Sequence, residues 1–453
     1  MEEAGLKRVD EFIRSPRRAL FSLSLPLLIT LTVHTLYSVV DTAFVGRLGS
    51  ESLAALTFSF PLFFLLIAFI SGVGTGVSSK ISRCIGRKDI KTAENAVLHG
   101  IFLSLLIGGV IYLILTPFLS PILSLLGAKG KVLPLSLQYM RVILAGIFLL
   151  FPSFILNRVF AGEGDTLTPM KVDILSLLSN IALDPLFIFT LRMGVKGAAL
   201  ATVASFFFSL VLYLYFLRKR SLLMPKISSF HPSPGILRDI LSVGLPATLT
   251  MVFISLYSMI INRLMAYYGV AYVASLGMVS RLSGLAVIPI IALSMPLVTL
   301  TGIFKGAGEY ELLKETGWFG VRTGLLVTTL IGIPLFLFPE FFLKLFTLDP
   351  QLLTLGSPYL KLTVFTYPLM ALGITTNRIL QGMGLGLPGL VANLVRTFGV
   401  SLPLAFIFVY ILNLTYLWIA IATLSGGLIA SLISLLWLRF CFLHLGKRQS
   451  MLE

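Results

Sequence analysis

The chain has 453 residues, of which 57% are hydrophobic and only 12% charged. A soluble globular domain carries about 25% charged residues, so this composition excludes a water-solvated fold and points to a protein surrounded by lipid. The formal net charge of +16 does not argue for nucleic acid as a partner, because the basic residues sit at the ends of apolar runs rather than in one patch.

The chain opens on a charged, amphipathic run from Lys7 to Arg18 that leads into a full-length apolar stretch without a small-residue cleavage site, so no signal peptide is expected. Crossing a bilayer takes about 20 mainly apolar residues. Twelve stretches meet that length, at 19–46, 53–79, 94–117, 133–160, 168–191, 195–217, 238–266, 273–301, 315–339, 353–381, 387–412 and 415–443. The expected fold class is therefore an all-α membrane protein with about 12 transmembrane helices. With the N-terminus inside, one set of connections holds the clusters Lys7–Arg18, Lys80–Lys91 and Arg218–Lys226, whereas the other holds only Arg47, Lys129, Lys131, Arg192, Lys196, Arg263 and Lys344. The positive-inside rule then places both termini in the cytoplasm of a multi-pass cell-membrane protein. Cys84 and Cys441 lie far apart and suggest neither a disulfide framework nor a metal site.

The first stretch carries His34, Tyr37, Ser38 and Asp41 at i, i+3, i+4 and i+7, one helix face. Pro26 precedes them and is expected to kink the helix. The second ends in Gly72, Gly74 and Gly76, read as close helix packing rather than a nucleotide loop, since no strand precedes them. The fifth carries Asn180 and Asp184 on one face, with Pro185 next in line to interrupt the backbone ladder. Carboxylates at bilayer depth are costly and by default mark an ion pathway. Asp41, Asp184, Asn180 and Thr202 offer oxygens suited to Na+, and two nearby carboxylates equally suit a proton; Asn180 and Thr202 also have a purely structural reading as interhelical hydrogen-bonding residues. Arg281, Arg322 and Arg396 fall near later stretches and receive no role.

Sliding the sequence against itself by one constant offset superposes Leu25-Pro26 on Leu245-Pro246, Tyr37-Ser38 on Tyr257-Ser258, and Asn157-Arg158 with Gly162 and Gly164 on Asn377-Arg378 with Gly382 and Gly384. The chain thus reads as two six-helix lobes, 1–220 and 238–453, joined by a cytoplasmic linker over 221–237. An even number of spans per lobe makes the repeat parallel, a common transporter plan with the substrate path between the halves. Asp41 aligns with Ile261, Asn180 with Val400 and Asp184 with Leu404, so the coupling chemistry is expected in the first lobe alone. No Walker, HExxH, GxSxG or metal-spaced Cys/His pattern is present, and neither an enzyme nor an ATP-driven pump is expected.

These features together resemble the MATE (multidrug and toxic compound extrusion) transporters, most of all archaeal members of the DinF-like branch. The resemblance rests on Pro26, Tyr37 and Asp41 with Val45-Gly46-Arg47-Leu48-Gly49, on Asn157-Arg158, on Asn180-x-x-x-Asp184-Pro185, and on Gly197-Ala198-Ala199-x-Ala201-Thr202. It implies an antiporter that exports organic, often cationic and amphipathic compounds in exchange for H+ or Na+, without a cofactor. It also implies a cation site of Asp41, Asp184, Asn180 and Thr202, with Asn157 in the same network and bending of the first span at Pro26. Tyr37, Asn157 and His34 are expected to face substrate or its polar network, and Pro26 and Pro185 to be the conformational kinks. Drug-like molecules and membrane lipids are the expected partners of a monomer. The alternative is a flippase of the same superfamily for lipid or lipid-linked oligosaccharide.

Overall fold

The structure is a computed structural model that describes the backbone of residues 2–449; the side chains of 2–7, Ser38 and 446–449 lie outside the described residues. All regular structure there is helical. The first half contains α1 (Glu2–Arg14), α2 (Pro16–Gly46), α3 (Ser50–Gly86), α4 (Ile90–Leu125), α5 (Val132–Ala145), α6 (Ile147–Gly162), α7 (Leu167–Pro185) and α8 (Gly194–Arg220). The second contains α9 (Pro234–Ala266), α10 (Val270–Ala307), α11 (Tyr310–Leu337), α12 (Pro339–Leu343), α13 (Pro350–Val364), α14 (Thr366–Gly382), α15 (Leu387–Leu394), α16 (Leu402–Phe406) and α17 (Leu417–Gln449).

The structure has the all-α, multi-span membrane fold expected from sequence. Among the described residues ten helices are long and apolar enough to cross a membrane, or eleven if α5 and α6, bent by 54° at Gly146, form one broken span. The stretch read as a single span over 353–381 is likewise broken at Phe365, into helices of 15 and 17 residues. The break has a local cause. Pro368 lies just past Phe365 and withholds the N–H that would reach back to the carbonyl of Val364, the last residue of α13.

Other interruptions are π turns. α7 ends at Pro185 and continues as a π-helical turn, Leu186–Thr190. In the second half π turns lie at Val395–Ser401 and, after α16, at Ile407–Ile411, the latter at the equivalent place in the repeat. Such turns are rare and concentrate at functional sites.

The two bundles meet reciprocally. α3 packs on α9, α10 packs on α2, and α3 and α10 cross one another between them. Small residues allow the approach: a Cβ on Gly86 would stand 2.1 Å from the Ile303 carbonyl oxygen, and one on Gly306, its counterpart in the repeat, 2.2 Å from that of Arg83. Two hydrogen bonds repeat the symmetry. Ser79 Oγ donates to the Gln381 carbonyl, and Thr299 Oγ1 donates to that of Ala161 at 2.7 Å. Lys80 Nζ adds an ion pair to Asp239 at 2.6 Å. Gly72 and Gly76 abut the backbone of α9 at Gly244 and Ile240, the close packing that the glycine run suggested.

The connection after α8 is held to the first bundle. Glu163 follows α6 in a turn that needs Gly164 at φ +75°. Its carboxylate accepts from the Ser221 hydroxyl and from the Leu222 amide at 3.1 Å. Glu94 accepts from the Met224 amide at 2.9 Å, Asn95 donates to the His231 carbonyl at 2.9 Å, and His99 Nε2 accepts from the Ser233 amide at 3.0 Å.

Burial pushes the Glu163 carboxyl up to about 7, with Asp165 adding to the rise and the Ser221 and Leu222 donors and Arg8 opposing it. The ordinary value is 4.5, so between 4.5 and about 7 the folded chain holds a proton that the unfolded chain has released. Stability from this group is therefore lost as pH rises through that window. Glu163→Gln should remove the dependence: in thermal unfolding, the variant should gain on the wild type from pH 4.5 to 7 and hold that gain at higher pH. A pH-independent difference would show that Glu163 titrates normally.

Candidate functional site

α2, α7 and α8 present their polar residues to one interior space. On α2, His34, Tyr37 and Asp41 share a face, with Asp41 8% exposed. On α7, Asp173, Ser176, Asn180 and Asp184 follow at helical spacing, and Asn180 and Asp184 have no exposed surface. Asn180 Nδ2 donates to Asp184 Oδ1 at 3.4 Å. On α8, Thr202 Oγ1 gives its proton to the Ala198 carbonyl at 3.0 Å, which leaves the oxygen's lone pairs available.

Several buried oxygens here lack a donor. Asp41 Oδ1, Asp184 Oδ2 and Asn180 Oδ1 have no hydrogen-bond partner, nor does the Tyr37 hydroxyl, although it is aimed at Thr202 and Ser205. Asp184 senses the charge of Asp41. Buried acceptors without donors are costly, and a cation or protons would satisfy them together. The donor set is oxygen only, which suits Na+ or H+ and not a thiophilic metal; among the described residues no group of three His, Cys, Asp or Glu side chains could hold a metal ion.

The space in front of these residues is a cavity of about 610 Å³. All its lining comes from residues 27–213 except Met295. Phe60, Phe63, Phe154, Phe206 and Tyr139 supply aromatic wall, and Asp41, Thr202, Asn157, Asp173, His34 and Tyr213 supply polar points. That composition matches the usual ligand pocket, apolar with a few converging polar groups. Of the residues singled out from sequence, Tyr37, Asp41, Asn157, Thr202 and His34 reach this wall. Asn180 and Asp184 are buried and absent from the cavity lining, and Pro26 and Pro185 take no part in the wall. Ser38, on the same face as Asp41, has its side chain outside the described residues.

Sequence reading missed a second acidic node. Asp173 accepts from Asn157 Nδ2 at 3.4 Å and from the Tyr213 hydroxyl at 3.3 Å, and His34 Nε2 stands 3.7 Å from it. The signal was present: Asp173 lies seven residues before Asn180, two helical turns along the same face. In the second half the counterparts of Asp41 and Asp184 are apolar, with Ile261 6% exposed and Leu404 packed against core. Arg281 and Arg322 are exposed, Arg396 lies over the Tyr257 ring at 5.8 Å, and none of the three lines the cavity.

Comparison with known proteins gives a consistent picture. The profile of the MatE family matches the chain twice, over residues 26–186 and 246–407. A FAD transporter of Shewanella oneidensis is 30% identical over 87% of this chain and 88% of its own. The multidrug export protein MepA of Staphylococcus haemolyticus is 28% identical over 82% of each chain. A crystal structure of MATE in the bent conformation superposes with a TM-score of 0.93 at 31% identity, covering 98% of this chain and 99% of that one.

Proposed function

The chain belongs to the MatE family, and from that premise we propose that it is an antiporter that exports organic, often cationic and amphipathic compounds in exchange for H+ or Na+. Membership makes it a secondary transporter of the multidrug-efflux type with an all-α, two-bundle membrane fold. The two successive family matches, one in each half, support a division into lobes 1–220 and 238–453 with a linker over 221–237. The apolar second-lobe counterparts of Asp41 and Asp184 support a place in the DinF-like branch.

The observation that carries the reading is the cluster of donorless buried oxygens from Asp41, Asn180 and Asp184 next to an aromatic cavity large enough for a drug-sized molecule. Two neighbouring carboxylates in a dry site cannot both stay charged without compensation. When cation-free they attract a cationic substrate into the cavity. Entry of H+ or Na+ neutralises them, removes that attraction and lets α2 repack, with Pro26 and the π turn after Pro185 as the points of give. Drug and coupling ion thus compete for one electrostatic niche. Thr202, with its proton committed to Ala198, completes the oxygen set, and Tyr37, His34 and Asn157 line the path. With the termini inside, the symmetric contact of α3 and α10 closes the cytoplasmic side, and the cavity faces outward.

The test is transport of a fluorescent cationic dye in proteoliposomes under separately imposed pH and Na+ gradients. One of the two gradients should drive dye against its own concentration difference, and the other should have no effect. Dye that moves equally without either gradient would overturn antiport. Arg281, Arg322 and Arg396, which would suit a lipid headgroup in a flippase, do not line the cavity; labelled lipid offered in the same vesicles should stay in its leaflet.

A further inference from the structure

A smaller cavity, of about 20 Å³, lies between the two bundles and shares Leu27, Arg158 and Met295 with the main one. It has no carboxylate in its wall. Instead it is lined by Arg158 of α6 and Arg378 of α14, counterparts in the repeat, and by the hydroxyl residues Thr75, Ser78, Thr166 and Thr299. Neither arginine makes an ion pair within 4 Å among the described residues. Arg378 Nη1 donates only to Gln381 Oε1, at 3.0 Å. Arg158 Nε is buried without a partner, and so is Thr166 Oγ1, in a residue 3% exposed.

The nearby acids do not answer this charge. Asp165 is occupied by the Leu167 and Thr168 amides at 3.1 and 3.0 Å, by the Thr168 hydroxyl at 2.8 Å and by Arg8 at 3.9 Å. Asp173 faces the main cavity and acts on Arg158 only at longer range. Arg158 and Arg378 also repel one another. Gly74 is needed for the arrangement, since a Cβ there would stand 2.6 Å from Arg158 Cγ. Two half-buried like charges and two unpaired buried donors around one small void form a site complementary to negative charge.

We propose that this pocket is an anion site on the pseudo-twofold axis, bridging the two lobes through Arg158 and Arg378. Its size admits one small ion or the oxygen end of a phosphate or carboxylate. The anion can arrive free, or as the charged end of a molecule whose body occupies the aromatic cavity, because Arg158 borders both spaces. The inference goes beyond the antiport reading and stands apart from it, since its tests need no transport.

The free-ion arm is crystals of the full-length protein soaked in sodium bromide. An anomalous peak between the two guanidinium groups is expected, and it should vanish in Arg378→Gln but persist in Arg378→Lys, which keeps the charge. The ligand-borne arm is binding of riboflavin and flavin mononucleotide, which differ by one phosphate, to the solubilised protein by flavin fluorescence. If the anion belongs to the ligand, the phosphorylated flavin should bind about tenfold tighter, and Arg378→Gln, at a residue outside the wall of the main cavity, should erase that preference while leaving riboflavin unchanged. A bromide peak with equal flavin affinities would assign the site to a free ion. No peak together with no phosphate preference would overturn the proposal.

Discussion

Asp41→Asn should abolish ion-driven dye efflux while leaving the protein folded. The amide keeps the shape of the carboxyl, and Asp41 accepts no hydrogen bond at Oδ1 that the change would break. What disappears is half of the negative charge that a coupling cation would meet, since Asp184 is the other carboxylate of the cluster. Swinging a two-state equilibrium from 1:99 to 99:1 takes about 5.5 kcal/mol of differential binding, and a single remaining carboxylate beside neutral Asn180 cannot supply it. Efflux should fall about 100-fold, to the leak of empty vesicles. The unfolding temperature should stay level or rise, because a buried charge without a donor is removed. Drug resistance at the wild-type level in cells carrying the variant would sink the coupling scheme.

Gly86→Leu and Gly306→Leu should each open the contact of α3 with α10 and trap the transporter on its other side. The atoms that an added side chain would strike are carbonyl oxygens, at 2.1 Å for Gly86 and 2.2 Å for Gly306, so no rotamer change relieves the clash and the helices must separate. Overpacking costs about 1–3 kcal/mol per site, which corresponds to roughly a ten- to hundredfold loss of the closed arrangement. A maleimide reporter at Ser78→Cys reads this directly, in a background without Cys84 and Cys441. Ser78 is 5% exposed and should label at least about tenfold faster in either glycine variant. Unchanged labelling with normal transport would mean that this crossing is not what closes the end.

Much of this was legible from residue order alone. The repeat is visible in Asn157-Arg158 and Asn377-Arg378, because duplicated helices keep their packing residues even when their chemistry diverges. The position of Asp41 on the cavity wall followed from helical period, since a carboxylate among apolar residues has to face an interior. Three things were not legible. The breaks at Gly146 and Phe365 leave hydropathy unchanged, so a window of apolar residues reads straight through them. Asp173 sits near the end of its span, where a charge is ordinarily a solvated one, and only tertiary packing brings Asn157 and Tyr213 to it. Arg158 and Arg378 were visible as a repeated pair, but convergence on one void is a property of how two lobes meet.

The connection between the lobes carries a mechanical consequence. Its contacts at Glu163, Glu94, Asn95 and His99 all belong to the first lobe, so the segment from Ser221 to Ser233 travels with that lobe as part of one rigid body. The pivot is thereby confined to the short junction at Ser233-Pro234, where α9 begins under a Ser233 cap. A tether of many residues behaves as a hinge of two, and the angle between the halves is set at that joint rather than along the strap.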